Sequence, residues 1–478
     1  MKDDGKKKAR PGQMPAEAGP QPEEAPGPED DAPRPPDDAP RPPDEAEKKP
    51  PAVLMTFPAD YVLSGEDGSQ TAGGPAQAQL DEENLSVLPQ FGEALRIPLR
   101  QISLITRAGY AIELDLTSKE KLTLSKLGRG LEDLFRGASN LRNEMLLADM
   151  LMKEGVVKAG AEADFVYRDS AGEVREKGTC EPRLYETALV VITDRGDLHR
   201  IPYSDIARVR PEKLAVAVET EYGDSFAFSR MGKELDPWKR DLAGAMNALT
   251  VKVQSTLQEL LPASDPSAIR RLSRLMKEGR AARRLDIEAV SPGLWPRLEK
   301  KLEAVGLAGQ YAFLKSLADE KRMCIGIKRG LMGELTGEYV WFLAPIYGTN
   351  PKQPGNALAM EAAASGEGEG GASGKATYLF RAAAPADYAR LKTPGELEAV
   401  VDQAIIRINR CLLAINFRRE PVYLTDEQMW EPRYARYQFA VQRIPELREL
   451  RSLFIGRVVH SSREQWQQGI RALLARAN

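Results

Sequence analysis

The sequence predicts an α+β fold: two tandem β-barrel units, each closed by a C-terminal helix, then a helical connector and a third α+β domain. Three observations carry this. Arg96-Ile97-Pro98 recurs as Arg200-Ile201-Pro202, 104 residues later, and the register between the copies holds without a gap. Within each copy the apolar period changes from about 2 to about 3.6 residues, the signature of strands followed by a helix. Beyond residue 254 the pattern is helical, and from residue 319 strand-like apolar runs return.

The chain has 478 residues, room for two to four domains at about 100 to 200 residues each. Residues 1–50 hold 13 of the 34 prolines and a tandem heptapeptide, Asp-Asp-Ala-Pro-Arg-Pro-Pro, at 30–36 and 37–43. Almost no large apolar side chain interrupts them, so burial cannot offset ordering entropy. The expectation is a disordered, acidic, proline-rich tail that solubilises the chain. A protein starting at Pro51 should therefore keep the circular dichroism spectrum of the full chain, and a large loss of helix or strand signal would mean that the tail packs.

The duplicated unit spans 55–150 and 160–254. Ala59-Asp60-Tyr61-Val62 matches Ala163-Asp164-Phe165-Val166, Gly68 matches Gly172, Leu85 matches Leu189, and the match runs on to Asn143 and Asn247. In the first copy Ile112, Leu114 and Leu116 alternate with Glu113 and Asp115, and in the second Val216 and Val218 alternate with Ala217 and Glu219. That is the period of a strand with one buried face. Turns at Lys119-Glu120 and Gly223-Asp224 lead into Leu122 and Leu124, or Phe226 and Phe228, completing a meander. Gly128 and Gly232 then punctuate the change to a helix. Leu131, Leu134, Phe135, Ala138, Leu141 and Met145 line one helical face in the first copy, and Leu235, Trp238, Leu242, Ala245 and Leu249 in the second. Each unit is expected to hold five to seven short strands and one closing helix.

The strand order, the Ile-Pro step into a hairpin at Ile97-Pro98 and Ile201-Pro202, and the capping helix resemble the pleckstrin-homology-like barrel in its bacterial or GRAM-type variants. The resemblance implies a small curved sheet plugged by a helix, a scaffold used to bind phosphoinositides, peptides or other proteins. Phosphoinositide-binding members carry a Lys/Arg cluster between the first two strands. Here the first copy offers Glu66, Asp67, Asp81, Glu82 and Glu83, and the second dilutes Arg168, Arg175 and Lys177 with Asp169, Glu173 and Glu176. Phosphoinositide is therefore not the expected partner.

Residues 255–318 read as the helical connector. Ile269, Leu272, Leu275 and Met276 form one stripe, and Arg270, Arg271, Arg274, Lys277, Arg280, Arg283 and Arg284 crowd the remaining arc. Such a helix meets phosphates, or its arginine stems cover apolar surface and pair with acidic neighbours. In 319–478, apolar runs at Met323–Ile327, Tyr339–Ile346, Ala357–Met360 and Ala376–Phe380 predict strands, and 366–374 is a glycine-rich loop tip. A helix with a wide apolar face follows at 396–415, ended by Pro421, which disfavours helical geometry at Glu420. Tyr423, Trp430, Arg433, Tyr434, Arg436 and Tyr437 form an aromatic and arginine-rich segment before a last helix at about 462–475.

No chemistry stands out. The three cysteines, Cys180, Cys324 and Cys411, are isolated, which excludes a disulfide framework and a zinc knuckle and suits a reducing cytoplasm. Phosphate-cradling glycine motifs are absent, and His199 and His460 have no partner at a motif spacing. No catalytic, metal or cofactor residue is assigned. No apolar run reaches the length that a membrane span requires. The net charge of -3 gives no global bias toward nucleic acid.

The reading is thus a non-catalytic cytoplasmic scaffold whose partner is a protein. Its candidate partner-binding residues are Arg270, Arg271, Arg274, Lys277, Tyr423, Trp430, Arg433, Tyr434, Arg436 and Tyr437, because aromatic and arginine side chains dominate interface hot spots. The alternative is a nucleic-acid-binding protein using the same residues. An enzymatic site would have to draw on Trp341, Asn356, Glu361, Tyr378 and Arg381, a set that only residue type selects.

Overall fold

The computed structural model describes residues 52–149, 154–193, 198–329, 338–348, 355–364, 376–415, 417–429, 431, 434, 437, 440–441 and 444–477. The proline-rich tail, the glycine-rich loop at 366–374, Trp430, Arg433 and Arg436 lie outside these residues.

The first copy contains β1 (Met55–Ser64), β2 (Gln70–Leu80), β3 (Asn84–Pro89), β4 (Leu95–Pro98), β5 (Ile102–Ala108), β6 (Ala111–Leu116), β7 (Lys121–Ser125) and α1 (Gly130–Asp149). Its strands form one curled antiparallel sheet in the order β4-β3-β2-β1-β7-β6-β5. The second copy contains β8 (Val156–Lys158), β9 (Ala163–Arg168), β10 (Val174–Tyr185), β11 (Ala188–Thr193), β12 (Leu198–Pro202), β13 (Ile206–Pro211), β14 (Ala215–Thr220), β15 (Ser225–Ser229) and α2 (Leu235–Leu260). The order β12-β11-β10-β9-β15-β14-β13 repeats the first sheet, and β8 is added against β10. Two curled antiparallel sheets, each followed by a helix, are consistent with the pleckstrin-homology-like resemblance.

The repeat extends to backbone detail. Ile105 pairs with Leu114 and Leu114 with Leu122, and their counterparts Val209, Val218 and Phe226 pair in the same way. A register shift falls between Ile102 and Leu104 in one sheet and between Ile206 and Arg208 in the other. The β6–β7 turn needs a left-handed residue, supplied by Lys119 at φ 71° and by Gly223 at φ 91°. Glycine takes that conformation without the steric cost a side chain brings. Each barrel fills with its own apolar side chains: Leu85, Ile112, Leu114, Leu122 and Leu134 in the first, Leu189, Val216, Val218, Phe226 and Trp238 in the second. Each such side chain contributes about 1.5 to 3 kcal/mol when fully buried.

The third sheet runs in sequence order through β16 (Ala282–Arg283), β17 (Cys324–Arg329), β18 (Glu338–Ile346), β19 (Ala357–Ala364), β20 (Ala376–Arg381) and β21 (Phe454–Val459). Both faces are covered, which is why β18 reads as an unbroken apolar run. Val340, Phe342 and Ala344 share a core with α3 (Pro266–Leu275), α4 (Arg284–Val290), α5 (Leu294–Ala304) and α6 (Ala308–Lys315), through Leu272, Ile287, Trp295, Leu298 and Leu314. The stretch 255–318 thus contributes a layer to this core. Trp341 and Leu343 face the other way. They pack with Val401, Ile405, Ile408 and Leu412 of α8 (Pro394–Ala414), which follows the turn α7 (Pro385–Tyr388), and with Leu447 and Leu450 further on.

Helix α8 starts at a capping box between Thr393 and Glu396. Its end differs from the sequence expectation. The chain turns at Phe417, with φ 58°, and Pro421 lies in the first turn of α9 (Glu420–Tyr423). There its missing N–H has no helical partner to lose, so Glu420 stays helical. Single turn α10 (Asp426–Met429), α11 (Pro445–Leu453) and α12 (Arg463–Ala475) complete the chain.

Candidate interaction surfaces

The basic helix divides into two groups of cations. Arg270, Arg271 and Arg274 lie on the exposed arc of α3, opposite buried Ile269 and Leu272, and have no ion pair among the described residues. The cations that follow are all neutralised within the chain. Lys277 pairs with Glu221 and donates to the Ser204 carbonyl at 3.3 Å, and Arg280 reaches Glu221 at 2.9 Å and also pairs with Asp205. Arg283 binds Asp286 at 2.7 Å and Asp402 at 2.5 Å, while Arg284 binds Glu288 at 2.8 Å and Glu320 at 3.1 Å. Burial resists ionisation of Glu221, but Lys277 and Arg280 outweigh it and hold the carboxyl below its ordinary range. Lys277 therefore ties α3 to the second barrel.

That tie belongs to a buried junction. Arg200 of β12 donates to Glu154 at 2.6 Å, to Thr187 at 3.3 Å, and to the Leu413 carbonyl and the Ala414 carbonyl (3.1 Å) at the end of α8. It supplies donors to helix-end carbonyls that lack intrahelical partners. Glu154 also accepts from the Thr187 amide at 3.1 Å and hydroxyl at 2.5 Å. Lys328 pairs with Glu278 at 2.9 Å, with side-chain exposures of 6% and 0%. Arg410 lies 4.3 Å over the Tyr222 ring and reaches Glu446 at 3.1 Å and Asp224 at 3.7 Å. The sequence marks Arg200 only as part of the repeated Arg-Ile-Pro motif, and gives no sign of Glu154, Thr187, Lys328 or Arg410. One signal was present: Ala188–Ile192 is continuously apolar and β11 is buried throughout, whereas the matching Asn84–Pro89 alternates.

The described tyrosines of the aromatic segment, Tyr423, Tyr434 and Tyr437, go inward. Tyr437 is 5% exposed and belongs to the core around α8, against which Tyr423 and Tyr434 also pack. Tyr434 and Tyr437 stack at 6.1 Å, and Arg457 lies 3.8 Å over the Tyr423 ring. Burial and the Glu420 charge push the Tyr423 phenol up to about 12. Tyr423 also lines an open groove of about 540 Å³ with Val422, Arg448, Arg451 and Phe454.

The residues that an enzymatic reading would use are engaged in packing. Trp341 donates to the Gly279 carbonyl at 2.8 Å. Asn356 and Arg381 both donate to the Ala477 carbonyl beyond α12, at 3.1 and 3.3 Å. Glu361 is 1% exposed and accepts from Thr377, with His460 Nε2 at 2.9 Å. His199 contacts Glu176 at 2.6 Å amid the rings of Tyr167 and Phe226. All three cysteines are buried, and burial pushes the Cys324 and Cys411 thiols up, away from the thiolate needed for attack. A cleft of about 20 Å³ lined by Thr187, Glu278 and Lys328 has room for roughly one water. Among the described residues no group of three or more His, Cys, Asp or Glu is arranged to hold a metal ion, and no helix is long and apolar enough to cross a membrane.

The two barrels differ at one sheet edge. In the first, Arg142 on α1 is 2% exposed and covers the start of edge strand β5, donating to the Ile102 carbonyl at 2.6 Å and the Ser103 carbonyl at 2.7 Å. The matching position in the second barrel is Met246, which has no donor to offer. Edge strand β13 is bonded to β14 on one side only, and no other partner meets its backbone among the described residues. Its Arg208 and Arg210 are exposed, and Arg210 pairs with Glu219.

No protein-family model and no curated protein matches the chain. Among solved structures, a chain of the Spt16D–Pob3N heterodimer is similar to it, at 17% identity over 35% of this chain and 85% of that one, with a TM-score of 0.15.

Proposed function

We propose that this is a non-catalytic scaffold protein of the cytoplasm that binds an extended segment of a partner protein along β13 of its second barrel. The observation that carries the reading is the open edge of β13, set against β5, whose first two carbonyls Arg142 covers. An unpaired strand edge presents a row of backbone donors and acceptors, and adding a strand satisfies them. Arg208 and Arg210 beside that edge favour a segment carrying Asp, Glu or phosphorylated side chains. Three buried cysteines without disulfides suit a reducing compartment. In this reading the chain divides at 1–50, 55–150, 160–254, 255–318 and 319–478, with both helical parts supporting the barrel that binds.

Selection from a library of random displayed peptides tests it. The full protein should enrich acidic extended sequences, and the R208E/R210E variant should lose them while keeping its unfolding curve, because the Arg210–Glu219 pair is exposed and such pairs contribute only about 0 to 1 kcal/mol. Peptides that bind both proteins equally would remove β13 from the proposal.

A further inference from the structure

Helices α3, α4 and α5 pack in succession, and their charges do not cancel. The carboxylates of α4, Asp286 and Glu288, are taken up by Arg283 and Arg284. The carboxylate at the start of α3, Asp265, accepts from the amide and hydroxyl of Ser267 as the helix cap. What remains is Arg270, Arg271 and Arg274 on α3 with Arg297 and Lys300 on α5, all exposed and without an ion pair among the described residues, against one exposed carboxylate, Glu303 of α5. Four of the five are arginine, in a chain whose net charge is -3 and whose neighbouring cations from Lys277 to Arg284 all found carboxylates.

We propose that the exposed arginine arc of α3 binds the phosphate backbone of a nucleic acid without reading its sequence. The guanidinium fork matches a phosphate in two parallel hydrogen bonds, which an ammonium cannot do. Arg270 and Arg274 are one helical turn apart, about 6 Å along the axis, so they can engage successive phosphates of one strand. The rings nearest in sequence do not offer a stacking surface: Trp295 and Tyr311 are buried and both hydrogen-bonded to Glu299, at 3.1 and 2.8 Å. Contacts confined to phosphates position a protein but carry no sequence information. The site does not involve β13, so this inference and the protein-binding proposal stand or fall separately.

Fluorescence anisotropy of the full-length protein with a short labelled DNA duplex tests it. Wild-type binding is expected at low salt, indifferent to base sequence, with log affinity falling against log salt at a slope of about -3 to -4.5 for three to five neutralised phosphates. R270E/R271E/R274E should weaken binding by about tenfold or more, and R270Q/R271Q/R274Q by less, with the far-ultraviolet circular dichroism of both unchanged. If the Glu variant does not fold, the Gln variant alone must reduce both affinity and salt slope. Absence of wild-type binding at low salt, or equal binding by the variants, overturns the proposal. Vesicles of phosphatidylserine and phosphatidylcholine should not bind; vesicle binding lost in the variants, without DNA binding, would assign the face to a membrane instead.

Discussion

Replacing Glu154 with Gln is expected to lower stability by about 3 to 5 kcal/mol, the range for removing one partner of a buried ion pair. The Glu154 side chain is fully buried, and its loss would leave Arg200, 5% exposed, with its charge uncompensated between the second barrel and α8. The size of the effect comes from that stranded guanidinium more than from the attraction itself. The pH dependence follows from the direction of the carboxyl's shift. Burial resists ionisation of Glu154, but Arg200, Thr187 and Lys328 outweigh it and place the folded-state pKa below the ordinary value. The stabilisation is therefore fully present above the unfolded pKa of about 4.3 and disappears as pH falls through the lower, folded value. Urea denaturation of wild type and Glu154→Gln should diverge at neutral pH and converge in acid. A constant difference down to acid pH would mean that lost packing, and not charge, accounts for the loss.

Replacing Trp238 with Ala should cost about 3 to 5 kcal/mol, the range for emptying an aromatic core site. The side chain is 0% exposed, lies 5.6 Å from the ring of Phe228, and donates through Nε1 to the Pro182 carbonyl at 2.7 Å. Truncation would both open a cavity and leave that carbonyl unsatisfied. The equivalent Leu134 in the first barrel is 1% exposed and makes no such bond, so Leu134→Ala should cost less than the tryptophan change. A thermal midpoint for Trp238→Ala within a degree of wild type would show that the second barrel does not depend on this plug.

The internal repeat was legible because it is written in local terms: alternation in β6 and β14, a glycine or turn residue at a fixed offset, a stripe along α1 and α2. Each of these depends on neighbours within a few positions. What could not be read is where the outward faces go. The arc of basic residues after Ile269 looked uniform in sequence, yet Arg280 meets Asp205, 75 residues away, while Arg274 has no ion pair among the described residues, a choice the local pattern does not record. Tyr437 looked like an interface residue for the same reason: its burial depends on α8, which the local pattern cannot place beside it. The exception is Ala188–Ile192, where the apolar run recorded an outer contact that the first copy lacks.

Burial of β11 on both sides has a consequence for how the chain can be divided. Leu189 and Val191 face the barrel interior, while Val190 and Ile192 join the core built around α8. A fragment cut to 160–254 would bring Tyr185, Val190 and Ile192 into water together, on the same face as an Arg200 deprived of Glu154. The sheet of the first barrel has no such debt, because β3 turns Ser86 and a half-buried Leu88 outward, although Leu146 and Leu147 at the end of α1 join the core around α8. The two copies therefore share an architecture but not an attachment: the first meets the α8 core through the end of its helix, and the second through a whole face of its sheet.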